Sequence, residues 1–179
     1  MRLRPLAGFI AVLLLLPAAL HAQGHPQTRQ GFWFNVGLGY GSLGCDDCND
    51  EREGGFSGGF ALGGTVGKNW LLGVGGAGWN KDEENGSLQV GTLDFRARFY
   101  PSATGGFFLT GGIGFGSIRI EIDGLGDHTE NGAALLLGLG YDFRIGKNVS
   151  LTPFGNVFGV KNDDADANVA QIGLGVTVH

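Results

Sequence analysis

The feature that most limits what this chain can become is a two-residue alternation repeated along nearly all of it. In GFWFNVGLGYG, one side of an extended segment carries Phe32, Phe34, Val36, Leu38 and Tyr40; the other carries Trp33, Asn35, Gly37, Gly39 and Gly41. Successive side chains of a strand point to opposite sides. Each such segment therefore has one bulky apolar face and one face of glycine or polar residues. The pattern recurs in GFSGGFALGGTV, WLLGVGGAGW, LDFRARFY, FFLTGGIGFG, AALLLGLGYDFRI and ANVAQIGLGVTVH; VSLTPFGNVFGV is less regular, with Val149, Leu151, Pro153 and Val157 on one side. The chain reads as all-β, with eight strands.

The connections alternate in character. GKN (67–69), PSATG (101–105) and GKN (146–148) are tight, whereas SLGCDDCNDEREGG, KDEENG, DGLGDHTENG and KNDDADAN read as longer, acidic loops. Short turns at one end and longer loops at the other mark an antiparallel up-and-down transmembrane β-barrel. Energetics assign the faces. Turning Asp94, Arg96, Arg98, Asp142 and Arg144 toward lipid would cost on the order of 10 kcal/mol. That rivals the whole stability of a typical domain, about 5–15 kcal/mol. These five residues are expected inside, and the apolar set outside. A water-soluble barrel has the opposite arrangement.

Composition agrees. Glycine supplies 36 of 179 residues, without the three-residue register of collagen and with only 5 prolines. A hydrophobic content of 42% excludes disorder, and a net charge of −5 argues against a nucleic-acid partner. The first 22 residues read as a cleavable signal peptide: Arg2 and Arg4, an apolar run from Leu6 to Leu16, and Ala22 before the cut. Their removal takes away two arginines and no acid, leaving 10 basic and 17 acidic residues, a net −7. Residues 23–30 read as a short, mobile polar leader, and 31–179 as the barrel.

GFWFNVGLGYG, RFYPSATGGFFLTGGIGFGS, LGLGYDFRIGKNVSLTPF and the closing IGLGVTV resemble the small eight-stranded outer-membrane β-barrels of Gram-negative bacteria, the OmpA and OmpX type. The resemblance covers 31–179. It implies an outer-membrane location and lipopolysaccharide as a neighbour. It also implies assembly by the barrel-assembly machinery through the last strand. The chain stops at that strand, so the peptidoglycan-binding domain of full-length OmpA is expected to be absent. The final residue is His179, where that family's assembly signal has an aromatic.

Several residues invite a functional reading. The GxG repeats lie within strands and precede no helix, so they are not phosphate loops. Asp94, Arg96, Arg98, Asp142 and Arg144 are expected to form a lumen network that plugs the barrel, because eight strands leave an interior that side chains fill. The alternative is a polar path for small ions. Cys45 and Cys48, spaced CxxC, are expected to form a local disulfide in an exported loop. The four loops and their strand ends hold 15 of the 17 acids. They read as a solvated crown open to an extracellular partner, with divalent-cation bridging as the sharper reading; DADAN only partly matches a calcium loop. Of the histidines beyond the signal, His128 alone is placed to meet outside substrate, and no serine lies close to it in sequence.

No cofactor, metal site or catalytic residue is assigned. Two aromatic belts are expected: Phe32, Trp70, Phe99, Tyr100, Phe107 and Phe143 at the tight-turn end, and Tyr40, Phe56, Trp79 and Phe115 toward the loops. The reading is a non-catalytic barrel with a plugged polar lumen and a structural, adhesion or surface-interaction role. A small pore or hydrophobic-ligand carrier, with a lateral opening near Pro153, and a lipid A-modifying enzyme are the alternatives.

Overall fold

The computed structural model describes residues 29–45, 52–83, 86–122, 126–162 and 166–179. The expected signal peptide therefore lies outside the described residues, as do most of the leader and Cys48. The strands are β1 (Phe32–Cys45), β2 (Glu53–Thr65), β3 (Trp70–Glu83), β4 (Gly86–Phe99), β5 (Phe107–Ile122), β6 (Gly126–Tyr141), β7 (Phe143–Arg144), β8 (Val149–Lys161) and β9 (Asp166–Val178). From β1 to β6 each pairs antiparallel with its sequence neighbours, β8 pairs with β6, β7 and β9, and β6 and β7 do not pair with each other. β1 also pairs with β9, which closes the sheet. β7 is the end of β6: Gly140 opposite Phe154 and Phe143 opposite Leu151 belong to one register. The ladder lapses between them beside Pro153, which has no N–H to donate. The molecule is thus a closed eight-stranded barrel.

Its stagger follows from the registers. Sideways steps from Phe34 pass Leu62, Val74, Phe95, Ile113, Leu135, Gly159 and Asn168, and return to β1 at Gly44, ten residues further on. With ~3.3 Å per residue and ~4.8 Å between strands, the strands tilt about 40° from the barrel axis.

The extracellular end differs from the expectation of long loops. The strands run on through the acidic segments, so that Glu83 pairs with Gly86, Ile122 with Gly126 and Lys161 with Asp166. Strands thus reach Glu83 and Ile122 and resume at Gly86 and Gly126, inside segments read from sequence as loops. Backbone groups there pair across the hairpin rather than with water.

The apolar parity reverses along the strands. On β4, Leu93 and Phe95 face out, whereas above them Val90 faces in and Gln89 faces out. On β5, Ile113 and Phe115 face out, then Ile118 faces in and Arg119 faces out. β3 does the same between Val74 and Trp79, and β8 between Val157 and Phe158. Lipid accepts apolar side chains on the outside, and water drives them inside. The reversal therefore marks where the barrel leaves the bilayer.

Below it, Phe32, Trp70 and Phe107 face out at the tight-turn end, and Tyr40, Phe56 and Phe115 face out near the boundary. Two expected belt members are corrected. Tyr100 and Trp79 are 0% and 2% exposed and point inward. Both share the parity of inner neighbours, Tyr100 with Arg98 and Trp79 with Ala77.

Candidate functional site

The lumen has two halves of different chemistry. In the periplasmic half, Arg96 holds Asp94 with two hydrogen bonds: Nε donates to Oδ1 at 2.8 Å, and Nη2 donates to Oδ2. The two residues are two apart on β4 and so share its inner face. Fork-to-carboxylate pairing of this kind is the strong form of the ion pair. Glycine makes room for it. A Cβ on Gly112 would sit 2.3 Å from Oδ1 of Asp94, and one on Gly75 would sit 2.8 Å from Cζ of Arg96.

Arg98, next along the same face, lies against rings. Its Cζ is 4.0 Å from the Phe108 ring centre and 4.9 Å from that of Trp33. Stacking on aromatic faces suits the planar guanidinium.

Asp142 stands where β6 runs into β7. Its carboxylate accepts hydrogen bonds from Tyr100 Oη (2.8 Å), Thr152 Oγ1 (2.8 Å) and His179 Nε2 (3.3 Å). Thr152 and Thr177 share a further bond at 2.7 Å. Arg29 closes the periplasmic mouth. Its Nη1 and Nη2 donate to the carbonyls of Ala103 and Gly105 at 3.2 and 2.5 Å, and its Cζ lies 3.3 Å from the Tyr100 ring centre. Read in sequence as part of a mobile leader, Arg29 is only 5% exposed. The reason is local: the β4–β5 turn offers two carbonyls and a ring face to one guanidinium.

The five charged residues singled out from sequence therefore divide. Asp94 and Arg96 pair directly, Arg98 stacks on aromatics, Asp142 bonds to Tyr100, Thr152 and His179, and Arg144 is half-buried on β7. Arg29, Trp33, Tyr100 and His179 complete the site and were not among them. Strand parity marks three of these: Trp33 alternates with Asn35, Tyr100 with Arg98, and His179 with Thr177.

The extracellular half of the lumen is apolar, which corrects the expectation of a polar lumen throughout. Leu43, Trp79, Val90, Ile118, Leu136, Phe158, Val160 and Val169 pack there as one buried cluster. The single polar atom of Trp79 is satisfied, its Nε1 donating to the carbonyl of Gly41 at 3.0 Å.

Outside this cluster, the hairpin ends carry exposed polar pairs. Lys81 pairs with Glu53, and Lys161 Nζ lies 2.8 Å from Asp166 Oδ2. Arg52 donates to Ser42 Oγ and Asn168 Oδ1, each at 3.0 Å. His128, read as a loop residue, is on β6, exposed, with Nε2 3.1 Å from Glu130 Oε1. Asn162 donates to the other Glu130 oxygen at 2.9 Å. Solvated pairs of this kind add little stability. The expected Cys45–Cys48 disulfide lies outside the described residues. Among the described residues, no group of three or more His, Cys, Asp or Glu side chains gathers in a metal-binding arrangement.

A concavity lies on the lipid-facing wall. It is a furrow of about 880 Å³ over Gly76, Gly78 and Gly91, flanked by Phe60, Leu93 and Phe115. Two neighbouring strands, β3 and β4, lack outward side chains there and make the furrow, and its apolar flanks suit lipid chains.

Residues 9–178 match the family model described as outer membrane protein beta-barrel domain. No curated protein matches the chain in sequence. Among solved structures, the chain is similar to Neisserial surface protein A (NspA), with a TM-score of 0.66 and 14% identity over 85% of this chain and 99% of that one. It is also similar to Ail, the attachment invasion locus protein of Yersinia pestis, solved with the heparin analogue sucrose octasulfate. There the TM-score is 0.57 and the identity 17%, covering 83% of this chain and 99% of that one. The N-terminal β-barrel domain of Pseudomonas aeruginosa OprF gives a TM-score of 0.50 at 13% identity, covering 84% of this chain and 99% of that one. At these identities the likeness is one of fold, and it agrees with the closed barrel, the lipid-facing apolar belt and the family match. The chain belongs to the outer membrane protein β-barrel domain family and resides in the outer membrane of a Gram-negative bacterium.

Proposed function

We propose that this outer-membrane protein is a non-catalytic, closed barrel that acts through its cell-surface end, in adhesion or another surface interaction. The observation that carries the reading is the double filling of the lumen. The Trp79–Phe158 cluster occupies the extracellular half, and the Asp94–Arg96 pair with Arg98, Asp142 and Arg29 occupies the periplasmic half. A solute crossing the first would shed its water among apolar side chains, and one crossing the second would have to break buried ion pairs. Little is left for the lumen to do, and the functional surface is the acidic hairpin crown.

Charge bears on the partner. Ail was crystallised with a polyanion. Here Asp82 and Glu121 are exposed at the hairpin ends, among 15 acids placed toward that side by sequence. Such a crown repels polyanions and favours a cationic partner surface. Assembly is read through the outward row of β9, Ile172, Leu174, Val176 and Val178.

The test is adherence of bacteria expressing the protein to surfaces coated with a basic protein or with heparin. The reading expects salt-sensitive adherence to the basic surface, reduced by the double change Asp82→Ala and Glu121→Ala. Adherence to heparin, or none to either surface with full surface display, would contradict it.

A further inference from the structure

Midway along the lumen, between the two fillings, lies an internal cavity of about 20 Å³. That is room for one occupant about the size of a water molecule. Arg98, Arg96 and Gln171 are in its wall, with Asn35, Thr110 and Asn156. Neither lumen carboxylate, Asp94 nor Asp142, is among the lining residues.

The wall is short of acceptors. Arg98 is 4% exposed, and its Nε and Nη1 have no hydrogen-bond partner. The rings of Phe108 and Trp33 take the face of the guanidinium and Tyr100 bonds to part of its edge, which leaves Nε and Nη1 unmet. Gln171 is 2% exposed; its oxygen accepts from Asn156 at 3.3 Å, and its Nε2 is without a partner. Every partnerless buried polar atom among the lining side chains is therefore a donor. Arg96 adds positive charge, but its donors are committed to Asp94 at Nε and Nη2. Asp142 is hydrogen-bonded by Tyr100, Thr152 and His179, and its charge also acts on Arg98.

We propose that this cavity is a monovalent-anion site that takes one chloride-sized ion, held by the Arg98 guanidinium edge and the Gln171 amide. The two lumen carboxylates face more cations than they can match: Asp94 is held by Arg96, and Asp142 is shared by Arg98, Arg29 and His179. Buried positive charge in excess is costly, and an unmet buried donor is costly too. An anion answers both costs: it accepts from several donors at once and opposes the charge. A water molecule would accept, but it adds no counter-charge and brings two hydrogens of its own to satisfy. The site goes beyond the surface role proposed above and does not depend on it.

The protein extracted in detergent from outer membranes provides the test. Its thermal midpoint is measured in sodium bromide, sodium chloride and sodium gluconate at equal ionic strength, and crystals grown in bromide are examined for anomalous scattering. The expected result is a higher, saturable midpoint in either halide than in gluconate, with a bromide peak within hydrogen-bond reach of Arg98. Arg98→Gln removes both the halide dependence and the peak. A midpoint indifferent to halide, with no peak in the lumen, overturns the proposal and leaves water as the occupant. If Arg98→Gln does not fold, the wild-type midpoints and the position of the peak decide alone.

Discussion

Nε2 of His179 donates a hydrogen bond to the carboxylate of Asp142 at 3.3 Å, so the last residue of the chain is fastened inside the barrel where β6 runs into β7. The His179 ring also lies edge-on to Tyr100, 6.4 Å between centres. Tyr100 in turn carries Arg29 on its face. Arg29, three residues before the first strand, and His179, directly after the last, thus meet on one tyrosine at the periplasmic mouth. What closes the barrel as a sheet, the β1–β9 pairing, is reinforced by side chains from both ends.

His179→Ala removes one of the hydrogen bonds to a buried carboxylate, and a cost of about 1–3 kcal/mol is expected. Asp142→Ala should cost more, roughly 3–5 kcal/mol, because it strips an acceptor shared by Tyr100, Thr152 and His179. Urea unfolding in lipid vesicles measures both. Equal and negligible losses would mean that the mouth cluster is not holding the chain end.

The parity reversal places the bilayer edge, and charge substitution on the outer face tests that placement. Val74 faces lipid within the band, and Asn80 faces out beyond the reversal on the same strand. Val74→Arg should destabilise by about 2–4 kcal/mol and Asn80→Arg by about 0–1 kcal/mol. Similar losses at the two positions would move the bilayer edge from where the reversal puts it.

Trp79 anchors the apolar half of the lumen. Trp79→Ala should cost about 3–5 kcal/mol through the cavity it leaves. Trp79→Phe keeps most of the packing but leaves the Gly41 carbonyl without its donor, for about 1–3 kcal/mol. The order of the two unfolding midpoints in urea is the readout, with Ala below Phe and Phe below wild type.

Glu130 lies above the bilayer edge, where a pH effect is accessible to measurement. The Asn162 amide, and then His128, hold its carboxyl below the usual 4.5. Because the folded value is depressed, the contact favours the folded hairpin at neutral pH and is lost as pH falls through that folded value. Carbon-detected NMR titration of the carboxyl should show the depressed midpoint, and Asn162→Ala should bring it back toward 4.5. A wild-type midpoint at or above 4.5 would contradict the assignment.

Period-two reading made most of the barrel legible, because one residue step decides lipid or lumen and a wrong face for Arg96 or Arg98 is too costly to occur. The same rule, applied one position further, reaches Tyr100 and His179. They were passed over because aromatics near a turn suggest a membrane belt and a terminal residue suggests solvent. The apolar half of the lumen was missed for a different reason. Val90, Ile118, Phe158 and Val160 break the phase of the strands that contain them, and a broken phase next to acidic residues looks like the start of a loop. Their meaning appears only when several strands are aligned by register and the reversal is seen on each. Arg29 had no signal in sequence: its partners are carbonyls of a turn more than seventy residues away.

Single-channel recording across planar bilayers is the most direct test of a barrel filled from both ends. The account predicts no steady current from the wild-type protein at either polarity. Steady, ohmic conductance steps from the wild-type protein would contradict it, because they require a continuous aqueous path past Trp79 and Phe158 and past the Asp94–Arg96 pair.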